Sequence, residues 1–308
     1  MTEPAPPSPA LPNLSTQQLE YLVEVAAGPT WADAAARLGV SPSALSQGLA
    51  QLERRIGVPL FDRDGRRRVL RPSATPVLEH ARRVVADTRD LARWAAAMDA
   101  GRTGVLRVGM IDLAAMTVFG PTLQRFRRRR PDVELHLAVA PSTDLSDQLL
   151  AGDLELAVVV EPVVHTGRLA YEPLLSDELA VYAPDGRRAG RPATWGPWVT
   201  FPASSHTRAL VAGALAELGA PFEVLAESHQ PEVLCEMVSL GMGWTVLPVL
   251  QAEAEPNPLV RARSEPLLTR RLSLARRPGA LLTPAADALA DDLRVSARAW
   301  AAERPTPA

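Results

Sequence analysis

The sequence predicts an α-rich N-terminal head, one long connecting helix and a C-terminal α/β region. Three observations carry this prediction. Apolar residues recur at spacings of three and four from Thr16 to Arg55, a seven-residue repeat runs from Val77 to Met98, and beyond Gly101 short β-branched runs alternate with helical stretches. A chain of 308 residues also suits two domains better than one.

In the head, Leu19, Leu22, Val23 and Ala26 form one face of a helix over Thr16 to Ala27 that stops before Gly28-Pro29. Thr30 opens a second helix as its N-cap with Asp33 three positions on, and Gly39 ends it. Ser41-Pro42 opens a third, the serine accepting orphan N–H groups and the proline standing where a missing donor costs nothing. It runs to about Arg55, with Gly57 as its stop. The turn around Gly39 and Val40 makes the last two a helix-turn-helix, a pattern that also occurs as plain structure.

The segment after the third helix gives this pattern a purpose. Leu60-Phe61 continues the core, and Arg63 to Arg71 alternates around a glycine as a small basic hairpin, or wing. Nine arginines lie between Arg54 and Arg83 against Asp62, Asp64 and Glu79, so this stretch is strongly basic in a chain of net charge −2. Wing arginines suit phosphates or a minor groove while the third helix occupies the major groove; the alternative is a solvated arginine loop. On that helix Ser43, Ser46, Gln47 and Ala50 face the base edges, with Gln47 matched to adenine. Ser41, Pro42 and Arg54 flank them, and Arg63, Arg66, Arg67, Arg68 and Arg71 supply the wing.

From Pro76 the chain reads as a long helix with Val77, Val84, Leu91 and Met98 at spacings of seven. Ala81, Thr88 and Ala95 add a flanking seam, the pattern of a short coiled coil between two chains. Packing on the chain's own core is the alternative, because Val85 and Trp94 widen the stripe.

The remaining residues predict strands at Val105 to Gly109, Val133 to Val139 and Leu154 to Val160 in a largely parallel sheet. Helices lie between them, one through Leu123 and Phe126, another capped by Ser142 and stopped at Gly152. Arg127 to Arg130 form a solvated helix end that complements the dipole. A second set of strands is expected near Leu179 to Tyr182, Val199 to Phe201, Glu223 to Leu225 and Trp244 to Leu247. Helices at Thr207 to Leu218 and Pro231 to Leu240 accompany them, and a final helix runs from Pro284 to about Trp300.

Composition removes several functions. Cys235 is the only cysteine, which excludes an intrachain disulfide, a cysteine zinc site and a two-cysteine redox switch. All 33 basic residues are arginine, which excludes a Schiff-base lysine, pyridoxal phosphate attachment and a phosphate-loop lysine. No glycine-rich phosphate loop or nucleophile elbow is present. An enzyme is therefore not expected, nor a cofactor or a metal. No apolar run approaches the roughly 18 residues that span a bilayer, so no membrane partner is expected and a cytoplasmic location fits. The Pro-rich opening lacks the basic region of a signal peptide.

The runs Leu19 to Leu22, Ala34 to Leu38, Val40 to Ser46, Leu52-Glu53, Ile56 to Phe61 and Arg63, in that order, resemble the DNA-binding domain of LysR-type transcriptional regulators. Pro42 and Gln47 stand where many members have glutamine and arginine, so the base sequence read differs, and Ala74 replaces a glycine after the wing. The resemblance implies a winged helix-turn-helix over 14–75, a linker helix over 76–100 and a bilobal, Rossmann-like effector domain over 101–303. Lobe I covers about 104–161 and 266–303, and lobe II about 162–265, with the chain crossing near Glu161 and returning near Glu265. Residues 1–13 and 304–308 are expected to be disordered tails.

The resemblance also implies partners: a pseudo-palindromic duplex, a small-molecule effector between the lobes, a second copy and commonly a tetramer, and RNA polymerase. Strand ends that open onto helix N-termini give the expected effector contacts. They are Ile111, Asp112 and Leu113, then Thr200, Ser204, Ser205 and His206, then His229 and Gln230. Asp112 stands where members often have serine or threonine, which points to a cationic, zwitterionic or neutral effector unless it caps its helix. A constitutive or architectural DNA-binding protein with no effector is the competing function.

Overall fold

The computed structural model describes residues 12–64, 67–99 and 104–303. The chain divides into two compact units, Met1–Ala92 and Arg93–Ala308, so the division falls inside the linker helix.

The head contains α1 (Thr16–Ala27), α2 (Trp31–Arg37) and α3 (Pro42–Ile56). Their ends follow local chemistry. Thr30 Oγ1 accepts the Asp33 amide at 3.1 Å and donates to its carboxylate at 2.7 Å, and Ser41 Oγ accepts the Ala44 amide at 3.1 Å. Gly39 and Gly57 adopt φ of +65° and +81°, which lets the chain leave each helix without a Cβ clash. Leu22, Leu45, Leu49, Leu52 and Leu60 form the buried centre. Strands β1 (Phe61–Asp64) and β2 (Arg67–Leu70) pair antiparallel with Phe61 opposite Leu70, which makes the wing. Its turn at Gly65-Arg66 lies outside the described residues.

Along the linker helix α4 (Thr75–Asp99) the heptad stripe meets two environments within the chain. Leu78, Ala81 and Val85 are buried in the head core, and Val77 and Val84 pack against it half-buried. Leu91 and Met98 are instead 52% and 46% exposed, with Trp94 beside them at 38%. The stripe therefore splits. Its first half closes the head's own core, because Leu78 and Val85 turn that face inward, and only its second half is uncovered.

In the α/β unit β3 (Gly104–Met110), β4 (Val133–Val139) and β5 (Leu156–Val160) form a parallel set in the order β4-β3-β5. Helices α5 (Gly120–Arg129), α6 (Ser142–Ala151) and α10 (Pro284–Glu303) accompany it, and Leu106, Val108, Phe126, Leu289 and Leu293 are among its core. Glu134 and His136 share the exposed face of β4, two residues apart, and hydrogen-bond at 2.7 Å. The second lobe adds β7 (Trp198–Thr200), α7 (His206–Glu217), β8 (Val224–Glu227), α8 (Pro231–Ser239), β9 (Thr245–Pro248) and α9 (Val249–Ala252). Trp195, Trp198 and Trp244 pack together at its centre.

Two long strands join the lobes: β6 (Ala170–Tyr182) and β10 (Leu268–Arg276), antiparallel from Leu268 opposite Leu179 to Arg276 opposite Ala170. In the first lobe β10 pairs with β5, and in the second β6 pairs with β9. The crossing thus lies within these strands rather than near Glu161 and Glu265. Pro173 and the run of polar residues around Asp177 break the alternation that would have marked β6 from Ala170. The six-stranded sheet, in the order β4-β3-β5-β10-β6-β9, is mixed: parallel at β4-β3-β5 and antiparallel wherever β6 or β10 takes part, while β7 and β8 form a separate parallel pair.

The approach of α1 and α3 is set by Gly48, where a Cβ would stand 2.8 Å from the Tyr21 ring. Gly48→Ala is expected to overpack this contact and destabilise the head by about 1 to 3 kcal/mol, although alanine is the better helix former. Urea unfolding of the purified variant and wild-type proteins measures the difference. A stabilised Gly48→Ala variant would show that the α1–α3 spacing is not fixed by this contact.

Candidate functional site

The first candidate surface is on the head. Leu45, Leu49 and Leu52 point α3 into the core, which leaves Ser43, Gln47 and Arg54 exposed on the opposite face, with Ser46 and Ala50 half-buried beside them. Pro42 and Ser41 are exposed at the helix start, where Ser41 Oγ caps the helix and lies 2.9 Å from Ser43 Oγ. In the wing the Arg68 guanidinium lies 4.7 Å from the centre of the Trp31 ring. Trp31 in turn meets Phe61 edge-on at 5.0 Å, so an aromatic residue at the start of α2 positions a wing arginine. Trp31 was not among the expected contacts, and its place before Ala32 at a helix start gives no sign of this role.

Arg71 is ion-paired with Asp62 across the hairpin, and both side chains reach solvent. The side chains of Arg63 and Arg67, and all of Arg66, lie outside the described residues.

The second candidate surface is a cavity of about 400 Å³ between the two lobes. Ile111, Asp112, Ser205, His229 and Gln230 line it as expected. Leu113 does not: it is fully buried in the first-lobe core, at the start of a π-helical turn over Leu113–Val118. Thr200 is buried with its hydroxyl unpaired, outside the lining, and Ser204 is exposed outside it. His206 also stands outside, its Nδ1 donating to the Val160 carbonyl at 2.9 Å and so fixing the start of α7 to the end of β5.

Ser142 does not cap its helix, and two further residues suited to capping, Asp112 and Ser205, make no cap either. Asp112 bonds no helix amide; its Oδ2 accepts from Gln251 Nε2 at 2.8 Å across the cleft. Ser205 occupies the N-cap of α7 without a side-chain bond. Ser142 is the first residue of α6 rather than its cap, and its Oγ accepts the Val160 amide at 3.0 Å. For Asp112 and Ser142 a long-range partner overrides the local preference.

The lining includes residues that sequence reasoning missed, above all Ser142, Thr207, Glu232 and Arg270. Arg270 is 4% exposed and donates from Nε to Asp177 Oδ2 at 2.8 Å and from Nη1 to Thr207 Oγ1 at 2.7 Å. Burial raises the Asp177 carboxyl above the usual carboxylate range, against the pull of the Arg270 charge. The signal available in the sequence was two adjacent arginines, Arg270 and Arg271, inside a strand with an apolar centre, where alternation turns one of them inward.

A winged helix-turn-helix with an exposed recognition face, followed by two α/β lobes enclosing a cavity, defines a DNA-binding regulator with a ligand-binding domain. Residues 16–75 match the bacterial regulatory helix-turn-helix protein family of lysR type, and residues 99–298 match the LysR substrate binding domain. The chain belongs to the LysR family of transcription regulators, and it is a DNA-binding regulator with an effector-binding domain, not an enzyme.

It is similar to the uncharacterized HTH-type transcriptional regulator YfeR of Shigella flexneri, 29% identical over 301 residues that cover 95% of this chain and 97% of the relative. Its fold is similar to that of a full-length OxyR variant of Pseudomonas aeruginosa, with a TM-score of 0.63, 21% identity and coverage of 93% of this chain and 95% of that one. The LysR family regulator CbnR gives a TM-score of 0.61 at 18% identity, covering 92% of this chain and 99% of the other.

Cys235 is half-buried in α8, and burial together with the Glu232 charge pushes its thiol up to about 11. At pH 7 its thiolate fraction is therefore about two orders of magnitude below that of an ordinary cysteine. Higher nucleophilicity of the more basic thiolate offsets part of this, so iodoacetamide labelling at pH 7 is expected to be about tenfold or more slower than for free cysteine, and hydrogen peroxide at micromolar concentration should leave DNA affinity unchanged. Rapid labelling, or peroxide-dependent binding abolished by Cys235→Ser, would make the thiol a sensor.

Proposed function

We propose that the protein reads a pseudo-palindromic duplex as a homodimer, and that a small molecule held between the lobes of the α/β unit sets its regulatory output. The observation that carries the effector reading is the 400 Å³ interlobe cavity, lined from both lobes by Asp112, Ser142, Thr207 and Arg270. In each head α3 enters the major groove with Ser43, Ser46, Gln47 and Ala50 toward the bases, Ser41, Pro42 and Arg54 flanking them, and the wing lies along the phosphates. Such a protein works where its DNA is, in the cytoplasm, and its second macromolecular partner is RNA polymerase. No helix among the described residues is long and apolar enough to cross a membrane. Thermal-shift screening of the full chain with a metabolite library tests the effector, since a ligand that binds only the folded state raises the melting temperature. A library without a hit favours the constitutive reading.

The DNA surface yields a paired prediction. Gln47→Ala is expected to relax preference at one base position by about 1 to 3 kcal/mol. Arg68→Ala should instead weaken all sequences alike and lower the slope of log affinity against log salt by about 1. Binding titrations on a randomised site at several salt concentrations separate the two. An unchanged preferred sequence removes Gln47 from the readers, and an unchanged slope removes Arg68 from the phosphate contacts.

For assembly, the exposed second half of α4 is the surface a second copy covers, and tetramers would need a further contact between α/β units. Leu91→Asp combined with Met98→Asp would bury charge in that seam and cost several kcal/mol of association, while leaving the head core intact because neither side chain enters it. Light scattering should show loss of the α4-mediated dimer, and affinity for a palindromic site should fall with the second half-site contact. Unchanged mass together with unchanged affinity would return this stripe to a surface without a partner.

A further inference from the structure

We propose that the effector is a zwitterion of α-amino-acid type, its carboxylate received by Ser142, Thr207 and Arg270 and its ammonium by Asp112. The proposal rests on the reading of the interlobe cavity as the effector site, and adds the chemistry of what fills it.

The carboxylate end is indicated by hydrogen-bond donors that the protein leaves unspent. Ser142, Thr207 and Arg270 all line the cavity and are 8%, 3% and 4% exposed. Among the described residues, Ser142 Oγ accepts the Val160 amide and donates to nothing; Thr207 Oγ1 accepts Arg270 Nη1 and likewise donates to nothing. Arg270 places Nε on Asp177 and Nη1 on Thr207, and Nη2 has no partner among the same residues. Two hydroxyls and one guanidinium nitrogen thus keep donor capacity beside one cavity, which suits an oxygen-rich acceptor. Helices α6, α7 and α8 also begin beside this cavity, with Pro141, Ser205 and Gln230 at their N-caps and no side-chain cap on any of them. Their dipoles favour the same negative group.

A simple carboxylate is nevertheless the wrong ligand. Asp177 lies directly on Arg270 and balances its charge. Asp112 and Glu232 then leave the lining acidic in its side chains. Asp112 has given Oδ2 to Gln251 and keeps Oδ1 without a donor among the described residues. An anion alone would meet this carboxylate across a small cavity, whereas a ligand carrying an ammonium a few bonds from its carboxylate satisfies both sets at once.

The test uses the full-length protein and three matched probe series: the proteinogenic L-amino acids, the carboxylic acids that lack their α-amino groups, and the amines that lack their carboxylates. Binding is read by thermal shift and then by titration calorimetry. At least one amino acid should bind, with its des-amino acid and its amine weaker by tenfold or more. Asp112→Asn, which keeps an acceptor for Gln251, should weaken the amino acid about tenfold and bring it level with the des-amino acid. Thr207→Val should weaken the amino acid and the des-amino acid together. Equal affinity of amino acid and des-amino acid in the wild type overturns the zwitterion while leaving the cavity as the site. Amino-acid binding that neither Asp112→Asn nor Thr207→Val alters places the ligand elsewhere and overturns the site as well. Silence from all three series overturns the amino-acid assignment, and the metabolite screen then decides separately whether the cavity takes any effector.

Discussion

The contact on which the α/β unit depends most is the buried pair of Arg270 and Asp177. They face each other on β10 and β6, next to the register shift between Leu272 and Ser273 and at the place where both strands leave one lobe for the other. Two charges held this far from water are costly unless geometry and further hydrogen bonds compensate, and removing one partner from such a pair typically destabilises by about 3 to 5 kcal/mol. Here the third bond, to Thr207, ties the start of α7 to the same point. One guanidinium thus fixes two crossing strands and a helix terminus, and the cavity is built on what it fixes.

Local signals in the sequence were read well where the partner is three or four residues away. Thr30, Ser41, Gly39 and Gly57 do what their types and spacings imply, because capping and left-handed turns are settled within one helical turn. Local chemistry does not decide Ser142 and Asp112, whose types are equally suited to capping. Ser142 is taken by the Val160 amide eighteen residues away, and Asp112 by Gln251 at a separation of 139. Arg270 escaped for a related reason: its value lies in a cross-strand partner that no short window contains.

The linker shows a different limit. Heptad spacing reports that a stripe is apolar and is silent on what covers each part of it. Val77 and Val84 continue the stripe that Leu91 and Met98 complete, yet the former lean on the head core while the latter stand in solvent. A helix of 25 residues outruns the small head it begins on, and its two halves meet different surroundings. The period is one; the environments are two.

The connection between the lobes is a hydrogen-bonded ribbon, β6 against β10. Two independent loops at this place would let the lobes swing in any direction. A paired ribbon resists bending in its own plane and yields chiefly by changing its twist, like a torsion bar.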